Sequence, residues 1–242
     1  MVSQYATRQM LEPDAVKLLA QYSAPYPEHG FARTANEAVS IADRIGYPVV
    51  LKIVSPDVIH KSDAGGVVIG LETAQAVTAG FSQITSRVRE RVPGAHIKGI
   101  LVCKQAPAGL EVIVGGLHDP LLGPTVMFGL GGIFTELLKD VTFRIAPFHR
   151  RDAQEMIAEI RGYPLLTGAR GEKPCYVEAV VRLLLGVSRL LSEHKEIAEL
   201  DLNPVRVYER GLLVLDARII PQSTSDDADV SVGTMGLVIR GD

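Results

Sequence analysis

The alternation of apolar and polar positions predicts helices and strands in a mixed order along the chain. Apolar residues recur at helical spacing, as in Val77, Ile84 and Val88. The β-branched run YPVVLKIV at positions 47–54 is instead typical of a buried strand. The expected helices span residues 12–23, 73–92, 151–161 and 176–194, with one more between Thr34 and Gly46. The expected strands span residues 47–54, 67–71, 98–104, 110–117, 125–128, 143–147, 199–207 and 211–219.

This order lacks a strict βαβ alternation, so it predicts an α+β fold with two lobes rather than a doubly wound sheet. Residues 24–31 are expected to form a linker, and residues 55–66 a polar loop. Thr34 and Glu37 have the spacing of a capping box, in which each side chain accepts a hydrogen bond from the other residue's backbone amide. The polar residues 223–242 are expected to form a flexible tail.

Composition indicates an ordinary globular protein and disfavours several partners. Of the 242 residues 47% are hydrophobic, only 5% are aromatic, and the net charge is −3, which argues against nucleic acid. Cys103 and Cys175 form no CxxC pair, so neither a thiolate zinc site nor a disulfide framework is expected. We find neither a signal peptide nor an apolar run long enough to span a bilayer, and therefore expect a cytoplasmic protein without membrane contact.

Lys52 lies inside an apolar strand, where its ammonium group must find an anion or reach water. The alternative is a lysine at the strand end that snorkels to solvent.

The segment His60-Lys-Ser-Asp-Ala-Gly-Gly66 carries the most chemical information. Gly65 and Gly66 let backbone amides approach a phosphate closely, and Lys61 adds positive charge. A neutral imidazole attacks phosphorus well, so His60 is a candidate nucleophile. The alternative is a surface loop with a histidine that faces solvent.

Oxygen ligands are concentrated near the C-terminus. Strand alternation places Glu199, Asp201 and Asn203 on one face, and Pro204 is expected to end or edge that strand. Asn203 and Asp216 would supply the hard oxygen ligands that Mg²⁺ takes alongside phosphates and water. The alternative is a polar strand face at a sheet edge.

Two further features are ambiguous. The second Gly-rich turn, Gly129-Leu-Gly-Gly132 followed by IFTE, lacks the lysine of a Walker A loop, and it suits either a nucleotide or a tight turn. Glu111 begins a strand, where its carboxylate could bind ribose hydroxyls or simply be solvated.

Three stretches together resemble one family. GYPVVLKIVSPDVIHKSDAGGV, GLEVIVGGLHDPLLGPTVMFGLGGIFTELLKDVTFR and AELDLNPV are similar to the ATP-grasp β subunit of ADP-forming acyl-CoA synthetases. The likeness runs from about Glu12 to Ile219, and the HKSDxGGV and DLNP motifs are specific in combination. It implies an ATP-grasp fold with nucleotide between two lobes, at about 25–101 and about 102–222, the second packed with the N-terminal helix.

The resemblance also implies a reversible reaction in which acyl-CoA, ADP and phosphate give a free acid, CoA and ATP. His60 matches the histidine that delivers the phosphoryl group to ADP, and Asp201 matches the carboxylate that orients it. Asn203 and Asp216 match the Mg²⁺ ligands. The expected nucleotide contacts are Lys52, Lys61, Gly65, Gly66 and Glu111, together with Cys103 and Gln105 of the hinge that holds adenine.

The hinge departs from the family pattern, because Cys103-Lys-Gln105 stands where members often have Gln-Glu-Met. Since main-chain groups largely hold the base there, the change leaves the preference between ADP and GDP open. The sequence does not indicate which acyl acid is used.

The resemblance further implies a partner. A separate α subunit binds CoA in this family, and the absence of a Rossmann fingerprint here agrees with that division, so an α2β2 complex is expected. Two other functions fit the sequence less well. A carboxylate ligase acting through an acyl phosphate would give the HKSD histidine no role, and a non-catalytic nucleotide sensor would not need the complete Lys, His, Asn and Asp set.

Overall fold

A computed structural model describes residues 9–132, 139–171 and 173–222 of the chain. The predicted tail at 223–242 and the IFTE segment at 133–136 lie outside the described residues. Helices accompany antiparallel sheets, which confirms the predicted α+β class. Within the described ranges no helix is both long and apolar enough to cross a membrane.

The chain forms two compact units, and the backbone enters the first one twice. Unit 1 comprises Met1–Gly109 and Leu213–Ile219, and unit 2 comprises Leu110–Leu212 and Ile220–Asp242. These limits differ from the expected lobes, because the border follows Gly109 and the N-terminal helix belongs to unit 1. The identity of the units with lobes that enclose a nucleotide stays a prediction.

Unit 1 is built on a four-stranded antiparallel sheet with the order β1-β4-β2-β3. Alternate residues of β2 face opposite sides, and Leu51 and Ile53 enter the main apolar core with residues of helices α2 and α3. Val54 lies in a second cluster with Leu101 and Cys103. The elements are α1 (Glu12–Leu19), β1 (His29–Ala32), α2 (Ala35–Ile45), β2 (Val49–Val54), β3 (Val67–Leu71), α3 (Ala74–Arg91) and β4 (Gly99–Lys104).

The predicted linker at 24–31 is wrong in its second half. His29–Ala32 forms strand β1, which pairs antiparallel with β4, His29 lying opposite Cys103. A four-residue edge strand after two prolines carries little local signal, and its hydrogen-bond partners come from a distant part of the chain.

Unit 2 contains the strand order β8-β5-β6-β7, with each neighbouring pair antiparallel. Its long apolar helix α6 contributes Leu183, Leu184 and Val187 to the core. The elements are β5 (Leu110–Asp119), β6 (Gly123–Leu130), β7 (Val141–Ile145), α4 (Arg150–Ala158), α5 (Tyr163–Leu166), α6 (Val177–Glu193) and β8 (Ile197–Val207).

Strand β8 shows the predicted alternation but does not stop at its proline. Leu200 and Leu202 are buried, whereas Asn203 is exposed. Pro204 lies inside β8, where the register against β5 shifts by one residue. An irregularity of this kind accommodates a residue that has no N–H to donate, so the expectation that Pro204 ends the strand is wrong.

The last predicted strand, 211–219, is two short strands in the structure. These are β9 (Leu212–Val214) and β10 (Ala217–Pro221), separated by Leu215 and Asp216. The break exposes the Leu215 carbonyl and the Asp216 carboxylate to partners in unit 1, which are described next.

Candidate functional site

Lys52 lies in the middle of β2 with its ammonium group enclosed by protein. The ammonium donates hydrogen bonds to Glu12 Oε1 at 3.0 Å and to the Tyr26 hydroxyl at 2.8 Å. It also donates to the carbonyl oxygen of Leu215. The anion that the sequence required is therefore supplied by the protein, and Lys52 does not snorkel to water.

Glu12 provides that anion from the first turn of α1. Its side chain is only 2% exposed, and the Tyr26 hydroxyl donates to Oε1 at 2.6 Å. Burial raises the pKa of Glu12 above its ordinary value and outweighs the attraction of Lys52. No sequence pattern indicates this role, because an acidic residue in the first turn of a helix is usually explained by the helix dipole.

Asp216 completes a cluster of two acids and two bases. Lys61 Nζ lies 2.8 Å from Asp216 Oδ1 and 3.3 Å from Glu12 Oε2, and Lys52 Nζ lies 3.5 Å from Asp216 Oδ1. We refer to Glu12, Lys52, Lys61 and Asp216 as the charge cluster. Its formal charges sum to zero, which is what permits four charged groups to share a mostly buried site.

Two members of the cluster, Lys52 and Asp216, are held in their charged forms by their neighbours. Burial disfavours the ammonium of Lys52, but Glu12 and Asp216 outweigh it and raise the pKa of Lys52. Burial likewise disfavours the carboxylate of Asp216, but Lys52 and Lys61 outweigh it and hold its pKa below the ordinary value. Lys52 is therefore protonated and Asp216 ionised at neutral pH.

The candidate histidine lies on a loop whose base is anchored to the charge cluster. His60 is exposed, whereas the next residue, Lys61, turns inward to Asp216. Arg91 of α3 donates to the carbonyl of Asp63 at 2.8 Å and holds the loop from its other side. The histidine is thus free at the surface of a loop that is fixed on both flanks.

The two glycines of this loop are required for different structural reasons. Gly65 has a φ of 66°, which favours glycine. At Gly66 a Cβ atom would lie 2.5 Å from Cγ2 of Ile53, so the backbone could not approach β2 this closely with any other residue. The Gly65 and Gly66 amides donate to the carbonyls of Ser62 and Lys61. Their contact with a phosphate stays a prediction.

The two candidate hinge side chains have different surroundings. Cys103 is buried, and burial raises its pKa to about 12. The Gln105 side chain is partly exposed and accepts a hydrogen bond from the Gly70 amide at 2.7 Å, while the backbone amide of Gln105 donates to the carbonyl of Pro48. The role of both residues in holding a base stays a prediction.

The remaining candidates belong to unit 2. Glu111 lies on β5, where Nε and Nη2 of Arg206 both approach its Oε1 at 2.9 Å. Asp201 is half-buried and Asn203 is exposed on β8, at alternate positions of one face. The Gly131 amide donates to the carbonyl of Glu111 at 2.7 Å, so the second Gly-rich turn packs on the backbone of β5.

The structure thus brings together Lys52, Lys61 and Asp216, which the sequence proposed separately, and places Glu111, Asp201 and Asn203 in unit 2. Sequence reasoning missed Glu12, Tyr26 and Arg206.

The described residues contain no ready-made metal cage. Over residues 9–132, 139–171 and 173–222, no group of three or more His, Cys, Asp and Glu side chains is arranged to hold a metal ion. Asp216 is nevertheless one-third exposed and ionised, and Asn203 is exposed. Mg²⁺ commonly takes one or two protein oxygens and completes its shell with phosphates and water, so an ionised, partly exposed carboxylate such as that of Asp216 is chemically suited to it. The metal role of Asn203 and Asp216 stays a prediction.

Comparison with known proteins gives a consistent result. A family model described as ATP-grasp domain matches residues 2–220. The β subunit of acetate–CoA ligase [ADP-forming] I from Pyrococcus furiosus is 49% identical over 213 residues, covering 88% of this chain and 92% of that protein.

Solved structures extend the likeness to three dimensions. An acetyl-coenzyme A synthetase 1 from Ca. Korarchaeum cryptofilum, in complex with coenzyme A and Ca-AMPCP, has a TM-score of 0.87 and 48% identity, covering 89% of this chain and 94% of that one. The same synthetase with coenzyme A and Mg-AMPPCP has a TM-score of 0.77 and 44% identity, covering 89% and 93%. Its phosphohistidine segment points towards the nucleotide-binding site.

Proposed function

The chain belongs to the ATP-grasp β subunits of ADP-forming acyl-CoA synthetases, and from this premise we propose that His60 carries the phosphoryl group to and from the nucleotide. In the direction of ATP synthesis, an imidazole nitrogen of His60 accepts the phosphoryl group from a phosphohistidine of the α subunit, whose own N–P bond breaks and releases that histidine. A terminal oxygen of ADP then attacks the phosphorus now bound to His60. The N–P bond breaks, its electron pair returns to the imidazole, and ATP is formed.

One observation supports this role above the others. The residue after His60 is tied through its side chain to Asp216, 155 positions further along the chain. The loop that carries the candidate nucleophile is therefore anchored, through the neighbouring Lys61, to the candidate metal ligand of a separate sequence motif. The alternative, a surface loop whose histidine merely faces solvent, would not require the next residue, Lys61, to be buried against two carboxylates.

The other residues receive roles that follow from their charge. We propose that Lys52 and Lys61 neutralise charge on the nucleotide and on the phosphoryl group in transit. Asn203 and Asp216 are the proposed Mg²⁺ ligands, and bound Mg²⁺ would supply further charge neutralisation. Asp201 is proposed to accept from a ring N–H of His60 and so fix its tautomer.

Five further residues are proposed to contact the nucleotide. Gly65 and Gly66 are proposed to shape the loop near phosphate, and Glu111 to contact ribose. Cys103 and Gln105 are proposed to frame the base, chiefly through main-chain groups of their segment.

Partner and location complete the proposal. The matching Pyrococcus protein is named as a β subunit, so we propose a CoA-binding α subunit as partner, in an α2β2 assembly. Two cysteines that are both free, with Cys103 buried, agree with a reducing cytoplasm.

Labelling with γ-³²P-ATP and Mg²⁺ tests the proposed histidine. The wild-type chain is expected to acquire an acid-labile, base-stable label, and His60→Ala is expected to lose it while nucleotide affinity stays within about twofold. His96→Ala is the matched control, since His96 is also an exposed histidine of unit 1. Undiminished labelling of His60→Ala would refute the shuttle.

A further inference from the structure

The carboxylates of Glu12 and Asp216 both neutralise Lys52 and Lys61, but they differ in their exposure to solvent. The Glu12 side chain is 2% exposed and lies 3.0 Å from Lys52 and 3.3 Å from Lys61. The Asp216 side chain is 34% exposed and contacts the same two ammonium groups. One acid is therefore enclosed, whereas the other can also meet an ion from outside.

Glu12 is fixed in its enclosed position by a neighbour. The Tyr26 hydroxyl donates to Glu12 Oε1 at 2.6 Å and accepts from Lys52 Nζ at 2.8 Å. The tyrosine thus joins the acid to the base, and its ring lies 5.2 Å from the ammonium. These contacts hold Glu12 Oε1 beside Lys52 without involving Asp216.

The charges of the cluster give Glu12 a task that Asp216 cannot perform. A metal ion at Asp216 competes directly with the two ammonium groups for that carboxylate. With Glu12 in place, withdrawal of Asp216 leaves two buried cations sharing one enclosed anion. Without Glu12, Asp216 would be the sole carboxylate for both lysines, and its release would leave two buried cations unpaired.

We infer that Glu12 is a positioning residue that holds Lys52 and Lys61 from inside the protein, so that Asp216 can turn from them to the Mg²⁺ of a bound nucleotide. This inference rests on the proposed function, in which Asp216 is a Mg²⁺ ligand. It adds a residue from the N-terminal helix to the machinery that handles the metal.

The substitution Glu12→Gln tests the inference because it keeps the shape and removes the charge. Calorimetry of the full chain would measure ADP binding at increasing Mg²⁺ and, separately, in excess chelator. The Mg²⁺ concentration required for half-maximal ADP binding is expected to rise about tenfold, because Asp216 is held more tightly and the cluster becomes positive. Binding of metal-free ADP is expected to be unchanged or tighter.

These opposite signs separate positioning from general damage, since a distorted site would weaken both kinds of binding. Asp14→Asn is the matched control, because Asp14 is an exposed acid of the same helix that pairs with the exposed Lys17 and does not belong to the charge cluster; no change is expected. An unaltered Mg²⁺ requirement in a folded Glu12→Gln chain would overturn the inference.

Tyr26→Phe serves as the second variant should Glu12→Gln not fold. Loss of the hydroxyl removes one hydrogen-bond acceptor from Lys52, so the ammonium binds Asp216 more strongly. The Mg²⁺ concentration required for half-maximal ADP binding is therefore expected to rise about threefold. An unchanged requirement in Tyr26→Phe would contradict the inference equally.

Asp216→Asn separates failure of the inference from failure of the proposed function. If Asp216→Asn leaves the Mg²⁺ dependence intact, the proposed metal role is wrong. If it abolishes that dependence while Glu12→Gln and Tyr26→Phe have no effect, only the role of Glu12 falls.

Discussion

Cys103 shows how strongly the charge cluster and its surroundings act on a single side chain. The thiol lies on β4 and is almost fully buried, and burial raises its pKa to about 12 even though Lys52 attracts the thiolate. Its ordinary pKa is 9.0. The native state therefore retains the proton over a pH range in which the unfolded chain loses it, and this couples folding to alkaline pH.

The sign follows from the raised pKa. The contribution of this thiol to stability is complete below pH 9 and is lost as the pH rises towards 12, at up to about 1.4 kcal/mol per pH unit. Cys103→Ala removes the titrating group, so its free energy of unfolding should fall less between pH 8 and pH 10 than that of the wild type. Urea unfolding at both pH values measures the difference.

Val102→Ala provides the control, because Val102 is equally buried on the same strand but does not titrate. Its loss of stability between the two pH values should equal that of the wild type. A pH dependence of Cys103→Ala as steep as the wild type would contradict the raised pKa.

Elements with strong local signals were predictable from the sequence. The apolar periodicity of residues 73–92 anticipated α3 (Ala74–Arg91), and the β-branched run anticipated β2. Strand β1 and the break at Leu215–Asp216 were not predictable, because the first depends on pairing with β4 and the second accompanies a contact between Lys52 and residues 163 or more positions away.

The same contrast holds for the site. Motifs identified His60, Lys61 and Asp216, since their residue types and spacing carry the chemistry. Glu12 and Tyr26 have no motif, and only the folded chain brings them to Lys52 across 40 and 26 positions.

At the start of α2, the structure contains one of the two hydrogen bonds that the capping-box pattern predicts. Thr34 Oγ1 accepts from the Glu37 amide at 3.2 Å, as predicted for the capping box. The reciprocal bond differs, because the Glu37 carboxylate accepts from the amide of Arg33, one residue before the cap, at 2.6 Å. The helix end is satisfied in either case.

Thr34→Ala should therefore lower the free energy of unfolding by about 1 kcal/mol, because it leaves an amide of the first turn without its acceptor. Chemical denaturation compares it with Ser40→Ala on the same helix. The Ser40 hydroxyl only donates to the Asn36 carbonyl, so its loss should cost less than about 0.5 kcal/mol. Equal effects of the two substitutions would argue against a capping role for Thr34.

At the scale of the whole molecule, the chain carries one part of a divided reaction. In the proposed function, the charge cluster and the His60 loop supply groups for phosphoryl transfer to a nucleotide. The sequence contains no Rossmann fingerprint for CoA, and the chain belongs to a family of β subunits. The acyl half of the reaction is therefore expected to depend on residues of the partner subunit.

We expect the purified chain alone to be labelled by γ-³²P-ATP but to form no ATP from acetyl-CoA, ADP and phosphate. Co-purification with its native α subunit should restore ATP formation, because that subunit would bind CoA and pass the phosphoryl group to His60. A complex carrying His60→Ala is the control: it should assemble with the same mass by light scattering and remain inactive. ATP formation by the isolated chain would show that the acyl and nucleotide steps are not divided between subunits.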